Sequence, residues 1–292
     1  MDRRQEVSDF LSSRRAKITP EQAGLPAYGG DARRVPGLRR EEVASLAGVS
    51  VDYYTRLERG NALGVSDGVL DNLARALQLN EAERTHLFDL VRSADGAVPP
   101  SETRAPQIPP AILRILHAVA GLPAYLRTPR LDTLAANQLG RALFSPFMHG
   151  RSLPVNNARF ILLDPRAVDF FPDWDTVAHD TVAALRWQVG RNPRDKALAE
   201  LVDELSAGSE LFRTRWADHN VRIHRGGVKS IRHPAVGDLT VSYESMTVDS
   251  DAGLILTVYS AEPDSPSEKA LRRLADWAAA VEGEQSTQAP TG

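Results

Sequence analysis

An α+β fold in two parts, a five-helix bundle followed by a five-stranded antiparallel sheet with helices across one face, is what these 292 residues predict. Three observations carry the prediction. Arg39 to Gly60, RREEVASLAGVSVDYYTRLERG, reads as two short helices hinged at Ala47-Gly48-Val49-Ser50. Residues 94–110, ADGAVPPSETRAPQIPP, hold five prolines among Gly, Ser and Thr, the composition of a semi-rigid linker, and so divide the chain. From Val228 onward the apolar spacing changes from the period of a helix to the alternation of strands.

The first part covers residues 1–93. Its opening helix, Ser8 to Ile18, places Leu11, Arg15 and Ile18 at helical spacing and ends at Pro20. Thr19 to Pro36, with Gly24, Pro26, Gly29, Gly30 and Pro36, is a long irregular connection. In the next helix Val43, Leu46 and Ala47 stand at i, i+3, i+4, a buried stripe, and Ala44 is small enough for close approach by a neighbour. Gly48 turns the chain, Ser50 is placed to cap the following helix from Val51, and Asp52 suits the positive end of its dipole. Tyr54 and Leu57 face inward with Val49, which turns Val51, Asp52, Tyr53, Thr55 and Arg56 outward. Ser66 caps a fourth helix holding Val69, Leu70, Leu73, Ala76 and Leu77, and Asn80 caps a fifth, to Ser93, with Leu87, Leu90 and Val91 inward.

The hinged pair is a helix-turn-helix. An ordinary αα-hairpin needs a glycine turn, but not also the small residues at Ala44 and Ala47 and the Leu-Glu-Arg-Gly ending. Leu38 to Gly60 resembles the helix-turn-helix of the Xre/Cro repressor family, with its alanine-glycine-valine-serine turn and its closing Glu58 and Gly60. The resemblance implies double-stranded DNA as partner. Val51, Asp52, Tyr53, Thr55 and Arg56, with Ser50 at the helix start, are then the candidate readers, and Arg39 and Arg40 the candidate phosphate contacts. Arg33 and Arg34, in the long loop, stand either as an arm over the DNA backbone or as ordinary surface. The net charge of −3 does not oppose this, because phosphate contacts need local positive charge, and Arg14-Arg15-Lys17 and Arg33-Arg34 with Arg39-Arg40 supply it. Arg56 and Arg59 stand where the family often has tryptophan and glutamine. Glu58, next to buried Leu57, is expected to pair with Arg14 or Arg15.

The second part covers residues 111–281. Pro109 and Pro110 suit the start of a helix whose stripe is Ile112, Ile115, Leu116 and Val119. Ala124 to Arg127 and Leu131 to Ala136 form a hairpin about Thr128-Pro129-Arg130. Asn137 to His219 is mostly helical: Asn192-Pro193 opens a helix with Leu198, Leu201, Val202 and Leu205 on one face, and Gly208 stops it. Val228 to Arg232, Leu239 to Val248 and Leu254 to Glu262 are strands, Pro266 to Val281 is a terminal helix with Leu271, Leu274 and Trp277 inward, and residues 282–292 are a polar tail. Two strands, a helical insertion and three strands is the order of a PAS-like sensor fold.

Over nearly its whole length this half also resembles the ligand-binding domain of the MmyB-like transcription regulators. The matching residues are Leu122-Pro123-Ala124-Tyr125, Asn137, Phe160-Ile161-Leu162-Leu163-Asp164-Pro165, Phe171-Pro172-Asp173-Trp174, Ala184-Leu185-Arg186, Glu204-Leu205-Ser206, Phe212-Arg213-Thr214-Arg215-Trp216 and Arg232-His233-Pro234. The resemblance implies a fatty acid or other hydrophobic ligand. Tyr125, Trp174, Phe212, Trp216, Tyr243 and Tyr259 are candidate apolar walls, and Asn137, Arg186 and His233, with the Tyr259 hydroxyl, candidate polar contacts. Each stands equally as core or as a partner for a buried backbone group.

Zero cysteines exclude disulfides, thiolate catalysis and the usual zinc-finger ligand sets. His219 and His224 have a spacing found in zinc sites but no evident third ligand, so neither a metal nor a cofactor is expected. No G-x-S-x-G, P-loop, G-x-G-x-x-G or H-E-x-x-H occurs, and no enzyme is expected. No secretory signal or long apolar run is present, so a cytoplasmic address without membrane contact is the simplest reading. These features converge on a ligand-responsive, DNA-binding transcriptional regulator acting as a homodimer. The alternative is a DNA-tethered protein-interaction module with no small-molecule ligand.

Overall fold

The computed structural model describes residues 3–25, 37–92, 108–148, 150–223, 225–248 and 253–288. In chain order the elements are α1 (Arg3–Lys17), α2 (Arg40–Ala47), α3 (Val51–Glu58), α4 (Asp67–Ala76), α5 (Glu81–Arg92), α6 (Pro110–Ala118), β1 (Ala124–Arg127), β2 (Asp132–Ala136), α7 (Gln138–Leu143), α8 (Ser145–Met148) and β3 (Val155–Asn156). There follow α9 (Asn157–Leu163), α10 (Arg166–Phe170), α11 (Trp174–Arg191), α12 (Lys196–Gly208), α13 (Glu210–Ala217), β4 (Gly226–His233), β5 (Gly237–Thr247), β6 (Ile255–Ser260) and α14 (Pro266–Gln288). Two compact units result. One is built from Met1–Thr103, Val182–Ser206 and Glu210–Ile223, the other from Arg104–Thr181, Ala207–Ser209 and His224–Gly292.

In the helical unit α1 starts a turn earlier than expected, because Val7 extends the stripe of Phe10, Leu11 and Arg14 backward at helical spacing, and all four are buried. Leu46, expected inward, is 38% exposed, while Ala44 and Ala47 are buried beside Val43. Helix α2 packs against both α3 and α4, and its small residues are what permit the approach. The Ser50 hydroxyl caps α3 by accepting from the Tyr53 N–H at 3.1 Å, as expected. Asn80 and Glu83 form a reciprocal cap on α5, each accepting from the other's N–H at 3.0 Å. Ser66 precedes α4 without a side-chain cap bond, and α12 is capped by Asp195, which accepts from Leu198 N–H at 3.1 Å, in place of the expected Asn192. Val221 joins the bundle core, with Trp187 packed against it, so the interior draws on residues far along the chain.

Two of the glycines in this unit's turns differ in what surrounds them. Gly48 sits at φ 67 with open space where a Cβ would be, whereas Gly60, at φ 83, lies against the Arg4 backbone, which a Cβ would overlap. Gly60→Ala is expected to destabilise the unit by about 3 kcal/mol or more and Gly48→Ala by only about 1–2. Equal losses in denaturant titrations of the two variants would show that the Arg4 approach is unimportant.

In the second unit the strand order is β3-β2-β1-β6-β5-β4 and each neighbouring pair is antiparallel. The expected hairpin forms, with Leu131 at φ 69 in its turn. The sixth strand was not expected: β3 is two residues long, too short for alternation to register, and it pairs Asn156 with Asp132. One sheet face carries Ala124, Leu126 and Leu256, packed with Leu116 of α6. Ile115, expected in that stripe, is 50% exposed. Helices α7 and α14 and the loop elements α9 and α10 pack as the second layer of this unit. Helix α14 continues past Val281 to Gln288. Among the described residues no helix is long and apolar enough to cross a membrane.

Candidate functional site

Helix α3 is held by its inward face, where Tyr54 and Leu57 are fully buried. Outward, Val51 is 47% exposed, Asp52 and Arg56 are exposed, and Tyr53 and Thr55 are half-buried. The Arg56 guanidinium lies over the Tyr53 ring at 5.6 Å, which keeps a cation on the solvent side of the helix. Arg39 and Arg40 are exposed at the start of α2, and the Arg39 N–H donates to Glu42 at 2.6 Å. Arg33 and Arg34 lie outside the described residues. Arg40 also serves the interior: its Nε donates to Glu58, which is 2% exposed and accepts from Arg15 Nε on its other oxygen at 2.6 Å. That hydrogen bond and the attraction of the carboxylate raise the Arg40 pKa. Arg14, the other expected partner of Glu58, pairs instead with Glu83 at 2.6 Å. Two cations and one acid thus knit α1, α2 and α3 behind the outward residues.

Three ligand candidates fall in this helical unit. Arg186, 2% exposed, donates to Glu6 at 2.7 Å and to the Trp216 carbonyl at 2.5 Å. Its guanidinium also meets His219 Nδ1 at 2.9 Å and lies 4.0 Å from the Trp216 ring centre, and Trp216 stacks on Phe212 at 5.2 Å. His219 Nδ1 can only accept from a guanidinium, so the ring is neutral; burial first, then Arg186, lowers its pKa to about 4. Arg186, Phe212 and Trp216 therefore form one packed group whose polar atoms face Glu6 and His219. His224 lies outside the described residues.

The remaining candidates lie in the sheet unit. Asn137 is a latch: its Oδ1 accepts from Ala124 and Gly140 N–H at 3.0 and 2.7 Å, and its Nδ2 donates to the Val119 and Leu122 carbonyls at 2.6 and 2.8 Å. His233 accepts from Ala235 N–H on Nδ1 at 3.1 Å, which leaves Nε2 protonated and donating to the Ala142 carbonyl at 2.9 Å; burial lowers its pKa. Trp174 Nε1 donates to the Ile161 carbonyl at 2.8 Å. The tyrosines do come together. Tyr125 and Tyr259 share a hydroxyl–hydroxyl bond of 3.0 Å, and the Tyr243 and Tyr259 rings are 5.7 Å apart. Phe144 closes on Tyr259 at 5.1 Å and leads into a chain of rings through Phe147, Phe160, Phe170 and Phe171.

Register places more on this face than sequence reasoning selected. Residues directly opposed across strands point the same way, so Tyr125, Thr257 and Ser245 share a face, as do Tyr259 and Tyr243, and Arg127 and Lys229 have the same parity. Arg127 is 4% exposed; Lys229 is half-buried, its ammonium 5.4 Å from the Tyr243 ring centre and 5.6 Å from that of Phe171. The signal was present in Ala124-Tyr125-Leu126-Arg127: strand alternation puts Arg127 beside Tyr125, a charge on the tyrosine face. An open cleft of about 520 Å³ also lies in this unit, bounded by Phe147, Phe160 and Leu163 with Arg151 and Arg159; the Phe160 to Pro165 motif lines it, but none of the candidate ligand contacts does.

Comparison with known families gives two matches. Residues 10–87 fit a helix-turn-helix domain, and residues 108–274 fit the MmyB-like transcription regulator ligand binding domain. No curated protein matches the chain.

Proposed function

The chain belongs to the MmyB-like transcription regulators, and from that premise we propose that it binds a two-fold operator as a homodimer and responds to a fatty acid or other hydrophobic small molecule. In this reading residues 1–93 bind DNA, 94–110 link, and 111–281 hold the ligand. The observation that carries the DNA half is the presentation of α3: an N-capped helix anchored by Tyr54 and Leu57, with Val51, Asp52 and Arg56 turned to solvent. Such a helix fits the major groove, where a valine can meet a thymine methyl and an arginine can grip a guanine edge. The N-terminus of α2, with Arg39 and Arg40, suits backbone phosphates. One helix-turn-helix covers one half-site, so tight binding asks for two copies about 34 Å apart on the duplex. For the ligand half, the support is the interior face of rings and hydroxyls around Tyr125, Tyr243 and Tyr259.

Arg56→Ala is the test of the DNA half. It is expected to weaken operator binding by about 1–3 kcal/mol and relax preference at one base pair, with little loss on random duplex. Equal losses on both DNAs in fluorescence anisotropy would remove Arg56 from the readers.

A further inference from the structure

The sheet unit holds two cations where its chemistry otherwise runs to rings and hydroxyls. Arg127 ends β1 and is buried, yet among the described residues its guanidinium makes one hydrogen bond, 3.3 Å to the Thr128 carbonyl, and no ion pair. Lys229 of β4 reaches the same tyrosines from the other side of β6 and β5. Burial, to which Arg127 adds, brings the Lys229 pKa down to about 8, and burial lowers that of Arg127. Asp180 is the acid that acts on Lys229. Among the described residues it leaves one of these two positive charges without compensation, and a buried charge left so is costly.

We propose that Arg127 and Lys229 seat a carboxylate, the acidic head of an otherwise apolar ligand whose body lies along the phenylalanine rings from Phe144 to Phe171. This assigns a head group and two residues to the sensor reading, on which it rests. A single negative charge restores neutrality; a phosphate monoester would exceed it. The hydroxyls complete the seat. Tyr125 and Tyr259 spend one proton on the bond between them, which leaves the other free to point at a ligand oxygen, and Ser245 and Thr257, 3.0 Å apart, stand on the same face.

The experiment uses the full chain with three probes of one tail length: dodecanoate, 1-dodecanol and dodecyl phosphate. Calorimetry is expected to find dodecanoate bound about ten- to hundredfold tighter than the alcohol. In Arg127→Met and Lys229→Met that preference is lost while the alcohol binds as before. Equal affinity for acid and alcohol, or a preference that survives both substitutions, overturns the seat and leaves the sensor reading standing. Tighter binding of the phosphate overturns the carboxylate assignment. Binding of none of the three removes the apolar-ligand reading itself. Melting of the ligand-free variants is an independent measure: Arg127→Met is expected to raise the midpoint, because it removes an uncompensated charge, and a lower midpoint means that Arg127 is structural.

Discussion

Replacing Glu58 by alanine is expected to destabilise the helical unit by about 3–5 kcal/mol, the cost of breaking a buried pair from one side. The carboxylate is 2% exposed and divides its oxygens between Arg15 and Arg40. The two arginines differ in what they lose. Arg40 is 49% exposed in its side chain and water can take over its donors. Arg15 is 17% exposed, with Nη1 already committed to the Leu38 carbonyl at 2.8 Å, so its Nε is left facing an interior without an acceptor. Most of the penalty therefore comes from the α1 side. Arg15→Met combined with Glu58→Leu removes both charges and is expected to recover a large part of the loss, since apolar replacements of buried pairs are often near neutral. Urea titrations of the single and double variants test this. A Glu58→Ala protein with an unchanged midpoint would mean that the clamp contributes nothing.

Acid is expected to unfold the same unit well above the usual carboxylate range. His86 is 1% exposed, edge-on to Phe10 at 5.1 Å, and its Nδ1 has no partner among the described residues. Burial first, then Arg186, Arg14 and His219, lowers its pKa from 6.5 to about 3, and His219 is lowered to about 4. Both histidines are thus held neutral in the folded chain. Below pH 6.5 the unfolded chain takes up protons that the folded chain refuses, so stability falls with pH until about 4. When both contribute, the slope reaches about 2.7 kcal/mol per pH unit. Glu6 works in the opposite direction. Burial, against the attraction of Arg186, raises its pKa above 4.5, so the folded chain gains that proton first and stability from this carboxyl grows as pH falls through its folded pKa. Burial raises the Asp89 carboxyl of α5 as well, so two carboxyls oppose the two histidines, each acting only near its own raised pKa. His86→Phe is expected to flatten the dependence between pH 6.5 and 5 by up to about 1.4 kcal/mol per unit. Hydrogen exchange in α1 and α5 at several pH values reads it, and an unaltered slope would show that His86 does not control acid stability.

The elements that could be read from the chain were those written in local spacing. The turn at Gly48, the Ser50 cap, the inward Tyr54 and Leu57, the hairpin at Thr128 to Arg130 and the alternation of Leu239, Val241 and Tyr243 all depend on neighbours within a few residues, and one sequence suffices to show them. Even the errors were local: Leu46 turned outward because a helix packed on two sides wants its small residues, Ala44 and Ala47, inward, and β3 was too short to have a period. The charges were different. Arg186 meets Glu6 across 180 residues, and Arg127 and Lys229 reach one tyrosine cluster from strands separated by β6 and β5. Glu58 beside buried Leu57 did point to Arg15, but a charged side chain without such a neighbour carries no mark in the sequence of whether it will face water or another charge. By itself the sequence determined the helix-turn-helix, five of the six strands and which residues stand outward on α3. Apart from the Glu58–Arg15 pair, only the tertiary structure decided which charges are buried and which acids answer them, because desolvation cost depends on everything packed around a group, and that packing joins segments from opposite ends of the chain.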